Sequence, residues 1–345
     1  MEIKDSLDRV YKYLIVIAIT VVGLILLKDI LIPIVFAAFF SIIMLPLVKR
    51  LEVKTGKIFS IIIVLVLSLL LLSLLLWFIV SQLTSLVNGL PDLENKFSLY
   101  ASSISSSLNN YLQISVEEQI QMLKEGIKNV SSYAGMILLS TSTLLVSLAQ
   151  AAIYIFLFLL YRDRFKDFLI ALNLGSDLEW TRKIQSIVRA YISGLGLVIL
   201  IDGALNTIGL LALGIPHAIF FGFFSGLLGM IPYVGIAIGA ALPTLLALIT
   251  KDNIWYAVGV VGVHSIVIFL DGHFITPKIT GSKISINALA AIVALLIGGK
   301  MWGIAGMILA VPFAGILKIL CSYSDTFKPL SFLLGDEVVD KKEEY

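Results

Sequence analysis

The sequence predicts an all-α, polytopic membrane fold of about eight transmembrane helices, with a broken or re-entrant hairpin and a small extracellular helical module. Three observations carry that prediction. Of the 345 residues, 59% are hydrophobic and only 14% are charged, against roughly 25% charged in soluble domains. The mean hydropathy is +1.02. The charges are also clustered: 30–48, 58–91, 129–161, 203–250 and 301–317 contain no Asp, Glu, Lys or Arg. About 20 apolar residues cross the hydrocarbon core as a helix, and several of these runs are long enough. A membrane β-barrel would instead show short alternating segments.

Taken in order, the first span is 11–28, with Lys12 and Lys28 placed to snorkel at its ends. A second apolar run follows at once and no small-residue cleavage site intervenes. The N-terminus therefore reads as an uncleaved span, not a signal peptide. The second and third spans are 30–48 and 58–80. Residues 81–132 turn rich in Ser, Asn, Gln and Glu, with Leu83, Leu86, Val87 and Leu90 on one helical face and Val116, Ile120, Leu123, Ile127 and Val130 on another. That spacing predicts an extramembrane helical module. A fourth span covers 133–161, an elbow 162–190, and a fifth span 191–213.

The 37 residues from Gly214 to Thr250 carry no charge, too many for one ordinary span. "GIP" at 214–216, "GMIPYVG" at 229–235 and "LPT" at 242–244 interrupt them, which predicts a broken or re-entrant hairpin. Irregular backbone at membrane depth is tolerated where it is buried in protein or lines a wet cavity. Further apolar segments at 253–270, 285–299 and 302–320 complete the bundle, with a polar loop at 271–283. The domains expected are thus 1–80, 81–132, 133–161, 162–190, a transport core at 191–321, and a cytoplasmic tail at 322–345.

Orientation follows from Lys and Arg. With a cytoplasmic N-terminus, the inner segments 1–12, 49–57, 162–189, 278–283 and 318–345 hold 3, 4, 6, 2 and 4 basic residues. The outer segments hold the other six, Lys28, Lys96, Lys124, Lys128, Lys251 and Lys300. Both termini then face the cytoplasm and the 81–132 module lies outside. The net charge of +2 gives no case for nucleic acid. The single cysteine, Cys321, rules out an internal disulfide and reads as apolar filler.

Few residues are suited to chemistry. No phosphate-cradling Gly-x-x-x-x-Gly-Lys-Ser/Thr run is present, "GLGLVILIDG" at 194–203 lacks the third glycine of a dinucleotide fingerprint, and the three histidines are far apart. No cofactor or metal is expected. Asp202 stands out inside the fifth span. A charge at the centre of a span costs roughly 2.5–3.5 kcal/mol on insertion scales, and such residues mark solute or ion paths. Asn206, one turn on, shares its face. The competing reading is a structural carboxyl bonded to a neighbouring helix. His264 lies within the 253–270 span with Asp271 two turns later, a pair able to relay protons; a packed, hydrogen-bonded histidine is the alternative. His217 and His273 fall at span ends, where interfacial placement explains them. Pro232 and Pro243 each free a carbonyl one turn upstream, able to receive a cation or a polar solute. The flanking glycines equally allow close helix packing. "GLLGMIPYVG" at 226–235 also resembles "GIAGMILAVPFAG" at 303–315, a candidate internal repeat of the kind found in secondary transporters.

"VRAYISG" (188–194), "GIPHAIFFGFFSGLLG" (214–229), "GMIPYVGIAIGAALPTLLALI" (229–249), "DGHFITPKITGS" (271–282) and "NALAAIVALLIGGKMWGIAGMILAVPFAGILKIL" (287–320) occur in order. As an ordered set they resemble the autoinducer-2 exporter family of transporters, over essentially the whole chain. The resemblance implies a secondary transporter without an ATP site, oligomeric and plausible as a ring. Members are associated with export of autoinducer-2, a small sugar-derived signal, and some with sodium/proton antiport. The family's Pro-x-x-Gly turn matches Pro232 to Gly235 around Tyr233. Its acidic residue before Thr-Pro-Lys matches Asp271, and its Gly-Gly and late proline match Gly298, Gly299 and Pro312. Leu195 departs from the family, where many members carry glutamine. Asp202 comes from the span itself, not from a family motif.

The function expected is inner-membrane export of a small polar solute such as autoinducer-2, without catalysis. The solute would bind between the fifth span and the broken hairpin, with proton or sodium coupling through Asp202 or Asp271. A monovalent cation/proton antiporter and a non-transporting scaffold are the alternatives. Expected partners are the lipid bilayer, the solute, a proton or sodium ion, and further copies of the chain.

Overall fold

The computed structural model describes residues 2–82, 84, 146–171, 179–230, 234–251, 253–281, 286–324 and 326–335. Residues 85–132 of the expected module, 133–145 of the fourth span and the tail from 336 lie outside the described residues. The described chain is helical almost throughout, as the apolar runs require. Its helices are α1 (Glu2–Leu26), α2 (Lys28–Thr55), α3 (Lys57–Gln82), α4 (Val146–Leu160), α5 (Arg162–Ala171), α6 (Glu179–Ala212), α7 (Ala218–Leu228), α8 (Val234–Thr250), α9 (Trp255–Leu270), α10 (Ala288–Ser322) and α11 (Lys328–Leu334). Five of them are long and apolar enough to cross a membrane: α2, α3, α6, α9 with its extension to Ile279, and α10. The bent pair Val146–Leu160 and Arg162–Phe168 adds a sixth if it is one span. The protein is therefore a multi-pass membrane protein. Large apolar side chains such as Leu71, Trp77, Ile208 and Leu296 stand exposed on these helices, as lipid-facing positions must.

The helices form two compact units, Met1–Leu65 with Ser147–Gly194 and Thr280–Tyr345, and Val66–Val146 with Leu195–Ile279. Residues 191–321, grouped above as one core, contribute to both.

In the first unit α1 and α2 meet at Leu27, so Lys28 opens the second helix instead of ending the first span. Ala37, Val48, Ile61, Val64, Ile155 and Leu159 form one apolar core of this unit, and Phe39, Val188 and Leu309 another. At the end of α2 the Arg162 Nη2 donates to both Glu52 carboxylate oxygens at 2.8 and 2.6 Å, and Lys57 pairs with Asp163 at 2.6 Å. These pairs fix the bend between α4 and α5. The Lys57 ammonium holds the Asp163 carboxyl below its usual range.

α10 is a hairpin. Gly303 adopts φ 61° and ψ −138°, a region that side chains other than hydrogen avoid. The chain reverses there, and a Cβ on Gly306 would overlap the Gly298 carbonyl oxygen. Eight residues of straight helix would hold those two about 12 Å apart. The first arm, 288–302, is about 22 Å long against a core of about 30 Å. Trp302 at the tip donates its indole N–H to the Leu24 carbonyl at 2.9 Å, near the end of α1. At the base, Asn287 caps the arm by accepting from Ala290 N at 2.8 Å and donates to the Leu333 and Gly335 carbonyls of the α11 end. The two apolar segments expected at 285–299 and 302–320 are thus the arms of one hairpin.

The second unit is built from the C-terminal part of α6 with α7, α8 and α9. Leu210, Phe220, Phe221, Leu246, Ala247, Ala257 and Val260 fill its core. α6 and α7 approach backbone to backbone: a Cβ on Gly222 would overlap Thr207 Oγ1, and one on Gly226 would lie 2.8 Å from the Ile199 carbonyl oxygen. α7 has 11 residues, about 16 Å, half of what a crossing needs. It packs along α8, and a Cβ on Gly235 would overlap the Leu228 carbonyl oxygen. The 218–250 segment is therefore a tight helical hairpin.

The proposed sequence repeat does not place equivalent positions. Gly226 lies in α7 and Gly235 in α8, so the first copy straddles a hairpin turn. Gly303 is itself a turn, and Gly315 lies in the arm after it. What the two hairpins do share is a buried proline in the second arm, Pro243 and Pro312.

Candidate functional site: buried acceptors on α6 and a proline-freed carbonyl

Each of those prolines removes the amide that would have bonded the carbonyl four residues back. For Pro243 that carbonyl belongs to Gly239, and the Ser225 hydroxyl of α7 donates to it at 2.8 Å. For Pro312 it belongs to Ile308, and the Tyr191 hydroxyl donates to it at 2.8 Å. Neither carbonyl waits open for a solute; each is capped by a hydroxyl from another helix. Gly298 and Gly299 stand with Pro312 in the α10 hairpin. Pro232 and Tyr233 lie outside the described residues, and Gly235 is buried in the α7–α8 contact.

Asp202 and Asn206 sit on the buried face of α6 at 8% and 4% exposure. Their spacing of four puts them one above the other. The Asn206 amide N–H donates to the Asp202 backbone carbonyl at 3.0 Å, so its Oδ1 points elsewhere. Asp202 Oδ1, Asn206 Oδ1 and Thr207 Oγ1 are all buried without a hydrogen-bond partner among the described residues. Three orphaned oxygens within six residues of one helix are unusual in a native protein. Asp202 and Asn206 share one face and both can accept, so that face suits a group that donates: a hydroxyl, a proton or a cation. Thr207, about 140° round the helix from Asp202, is turned to Gly222 of α7.

Asp271 is the second carboxyl within electrostatic range of Asp202. It closes α9, where the helix widens into π-helical turns over Asp271–Ile275 and Pro277–Gly281. Such widening is frequent at functional sites. Asp271 accepts from the Thr276 hydroxyl at 2.5 Å. His264 is buried at 4% exposure and has both ring nitrogens engaged, Nδ1 with the Val260 carbonyl at 2.9 Å and Nε2 with Ser225 Oγ at 3.1 Å. It is not bonded to Asp271. His217 lies against Gln82 at 2.9 Å and His273 against the Phe269 ring. Among the described residues no three His, Cys, Asp or Glu side chains are grouped to hold a metal.

Ser225, Thr207 and Tyr191 were not singled out from the sequence. A signal for two of them existed: a proline inside an apolar helix needs a donor for the carbonyl four residues earlier. The hydroxyls able to supply it are scarce in these spans.

The description AI-2E family transporter matches residues 14–324. The chain belongs to the AI-2E transporter family. The AI-2E resemblance read from the C-terminal motifs therefore holds over nearly the full length. Among AI-2E relatives, the AI-2 transport protein TqsA of Escherichia coli (strain K12) is 24% identical over 320 residues, covering 89% of this chain and 90% of TqsA. "Putative transport protein YueF" of Bacillus subtilis (strain 168) is 27% identical over 303 residues, with 83% of this chain and 82% of YueF covered. YrrI, from the same organism and similarly named, is 37% identical over a shorter 139 residues, 40% of this chain and 39% of YrrI. The family and these names make the protein a transporter.

Proposed function

We propose that this transporter is a secondary exporter of the inner membrane that moves a small hydroxyl-bearing solute, autoinducer-2 being the first candidate. The observation that carries the reading is the row of two buried, unpartnered acceptors, Asp202 and Asn206, on one face of α6. A sugar-derived solute offers hydroxyl donors to such a row, and the name of TqsA supports the same cargo. Nothing in the sequence cradles a nucleotide phosphate, so the energy source in this reading is a solute or ion gradient. The protein carries out no catalysis, works as a homo-oligomer, and has both termini in the cytoplasm by the Lys and Arg distribution.

A second reading, monovalent cation/proton antiport, is favoured by Asp271 lying within electrostatic range of Asp202. Carboxyls in a membrane protein commonly mark ion paths, and such a pair could exchange a proton for a cation. Purified proteoliposomes loaded with autoinducer-2 or with sodium separate the two readings. Efflux of autoinducer-2 by the wild type, reduced about tenfold or more by Asp202→Asn, is the expected result. Sodium-driven proton movement without autoinducer-2 efflux would replace the first reading by the second. Equal transport by wild type and variant would make Asp202 structural.

A further inference from the structure

Four groups lie in a line across three helices of the second unit: the Val260 carbonyl and His264 imidazole of α9, the Ser225 hydroxyl of α7 and the Gly239 carbonyl of α8. The line contains three hydrogen bonds, at 2.9, 3.1 and 2.8 Å. Its two ends are carbonyl oxygens, which only accept. Each bond needs one proton of its own. A neutral imidazole brings one N–H and a serine brings one O–H, so a neutral line holds two protons for three bonds.

The shortfall cannot be moved to the ends. Val260 and Gly239 carry no donor to offer, and Gly239 has lost its helical amide partner to Pro243. If the serine turns to Nε2, the Gly239 carbonyl is left bare inside the hairpin. If the serine stays on Gly239, then either Nε2 faces the serine oxygen with no proton between them or, in the other tautomer, Nδ1 faces the Val260 carbonyl with none. Only an imidazolium, with both nitrogens carrying protons, completes the line. The pattern is independent of the cargo and goes beyond the transport reading.

We infer that His264 is a proton-binding site whose occupation ties the α7–α8 hairpin to α9 through Ser225. The ligand is a proton, and the readout is the tightness of the hairpin. No other charge is positioned to do this locally: α7 and α8 carry no titratable residue. The titratable groups on the surrounding described elements of the second unit are Asp202 on the 195–212 part of α6, His217 before α7, Lys251 after α8, Tyr256 on α9, and Asp271, His273 and Lys278 beyond its end. Lys251 is turned onto the Tyr256 ring at 5.0 Å and His273 onto Phe269 at 4.4 Å. Neither is bonded to the line.

The test uses the full-length protein in lipid nanodiscs with ¹⁵N-labelled histidine. The His264 ring signals are identified by their loss in His264→Gln. On lowering the pH, His264 is expected to pass from one N–H to two. Amide exchange over 218–250 is expected to be slower in the wild type than in His264→Gln at the same acid pH. Pro243→Ala restores an amide to Gly239 and releases Ser225 to serve a neutral ring. It should weaken proton binding at His264 about tenfold, one pH unit, in a helix that is more regular than before. Ser225→Ala removes the acceptor for Nε2–H and should lower the midpoint similarly. A His264 ring that stays singly protonated until the protein unfolds would overturn the inference. So would a midpoint unmoved by Pro243→Ala, or hairpin exchange that tracks His264→Gln at every pH.

Discussion

At the scale of single residues, two groups of buried polar side chains stand out among the described residues. One group repairs the backbone: Tyr191 caps the carbonyl freed by Pro312, as Ser225 caps the one freed by Pro243. Removing such a donor strands a buried carbonyl, which costs roughly 1–3 kcal/mol. Tyr191→Phe is therefore expected to lower the stability of the purified protein by that amount in denaturant unfolding. The same change in a Pro312→Ala background should cost much less, because an alanine at that position supplies the missing amide. Equal costs in both backgrounds would show that the hydroxyl does not serve Ile308. The other group, Asp202, Asn206 and Thr207, repairs nothing and is left with open acceptors. Asp202 was legible in the sequence because a carboxylate in an apolar run is conspicuous. Thr207 was not, since a threonine in a span usually bonds its own helix, and only the close passage of Gly222 shows what it faces.

At the scale of elements, glycine decides where helices touch. The α6–α7 contact needs Gly222, because any side chain there meets Thr207 Oγ1 and the Gly203 carbonyl. Gly222→Ala is expected to destabilise the second unit by several kcal/mol, or to abolish solubilised folded protein, as measured by size-exclusion recovery. Gly303→Ala places a methyl group in a backbone conformation that only glycine adopts freely, costing about 1–3 kcal/mol, while Gly262→Ala, in α9 with open space around it, should cost less. Thermal unfolding of the two variants side by side checks the order. Glu52→Gln removes the carboxylate that accepts twice from Arg162 at the α4–α5 bend, leaving only the longer pairing with Asp163 at 3.7 Å, and should cost about 1–3 kcal/mol. The sequence disclosed that 214–250 must break, from its length and its prolines. The sequence also disclosed the break between 285–299 and 302–320, but not how closely the two arms would meet. The reversal rests on one glycine's φ and on the Gly298–Gly306 contact, neither of which composition reveals.

At the scale of the whole molecule, hydropathy and charge alone identified a multi-pass helical protein, and the ordered C-terminal motifs identified its family. Span number was less accessible, since window hydropathy cannot distinguish a crossing helix from one arm of a hairpin. Orientation is open to direct measurement. In a Cys321→Ser background, cysteines introduced at Ser105 and at Asp163 should label from opposite sides with an impermeant maleimide, Ser105→Cys from outside and Asp163→Cys only after permeabilisation. The reverse pattern would invert the topology drawn from the Lys and Arg residues. The brevity of α7 has a consequence for biosynthesis. An 11-residue stub cannot partition into the bilayer as a span, so a ribosome that has released only α7 has delivered nothing the membrane can hold. Its serine finds its acceptor, the Gly239 carbonyl, only once α8 has emerged to lie against it. The pair must enter the lipid as one unit of insertion, and a chain truncated after residue 230 should leave that stub accessible to protease on the side from which it was made.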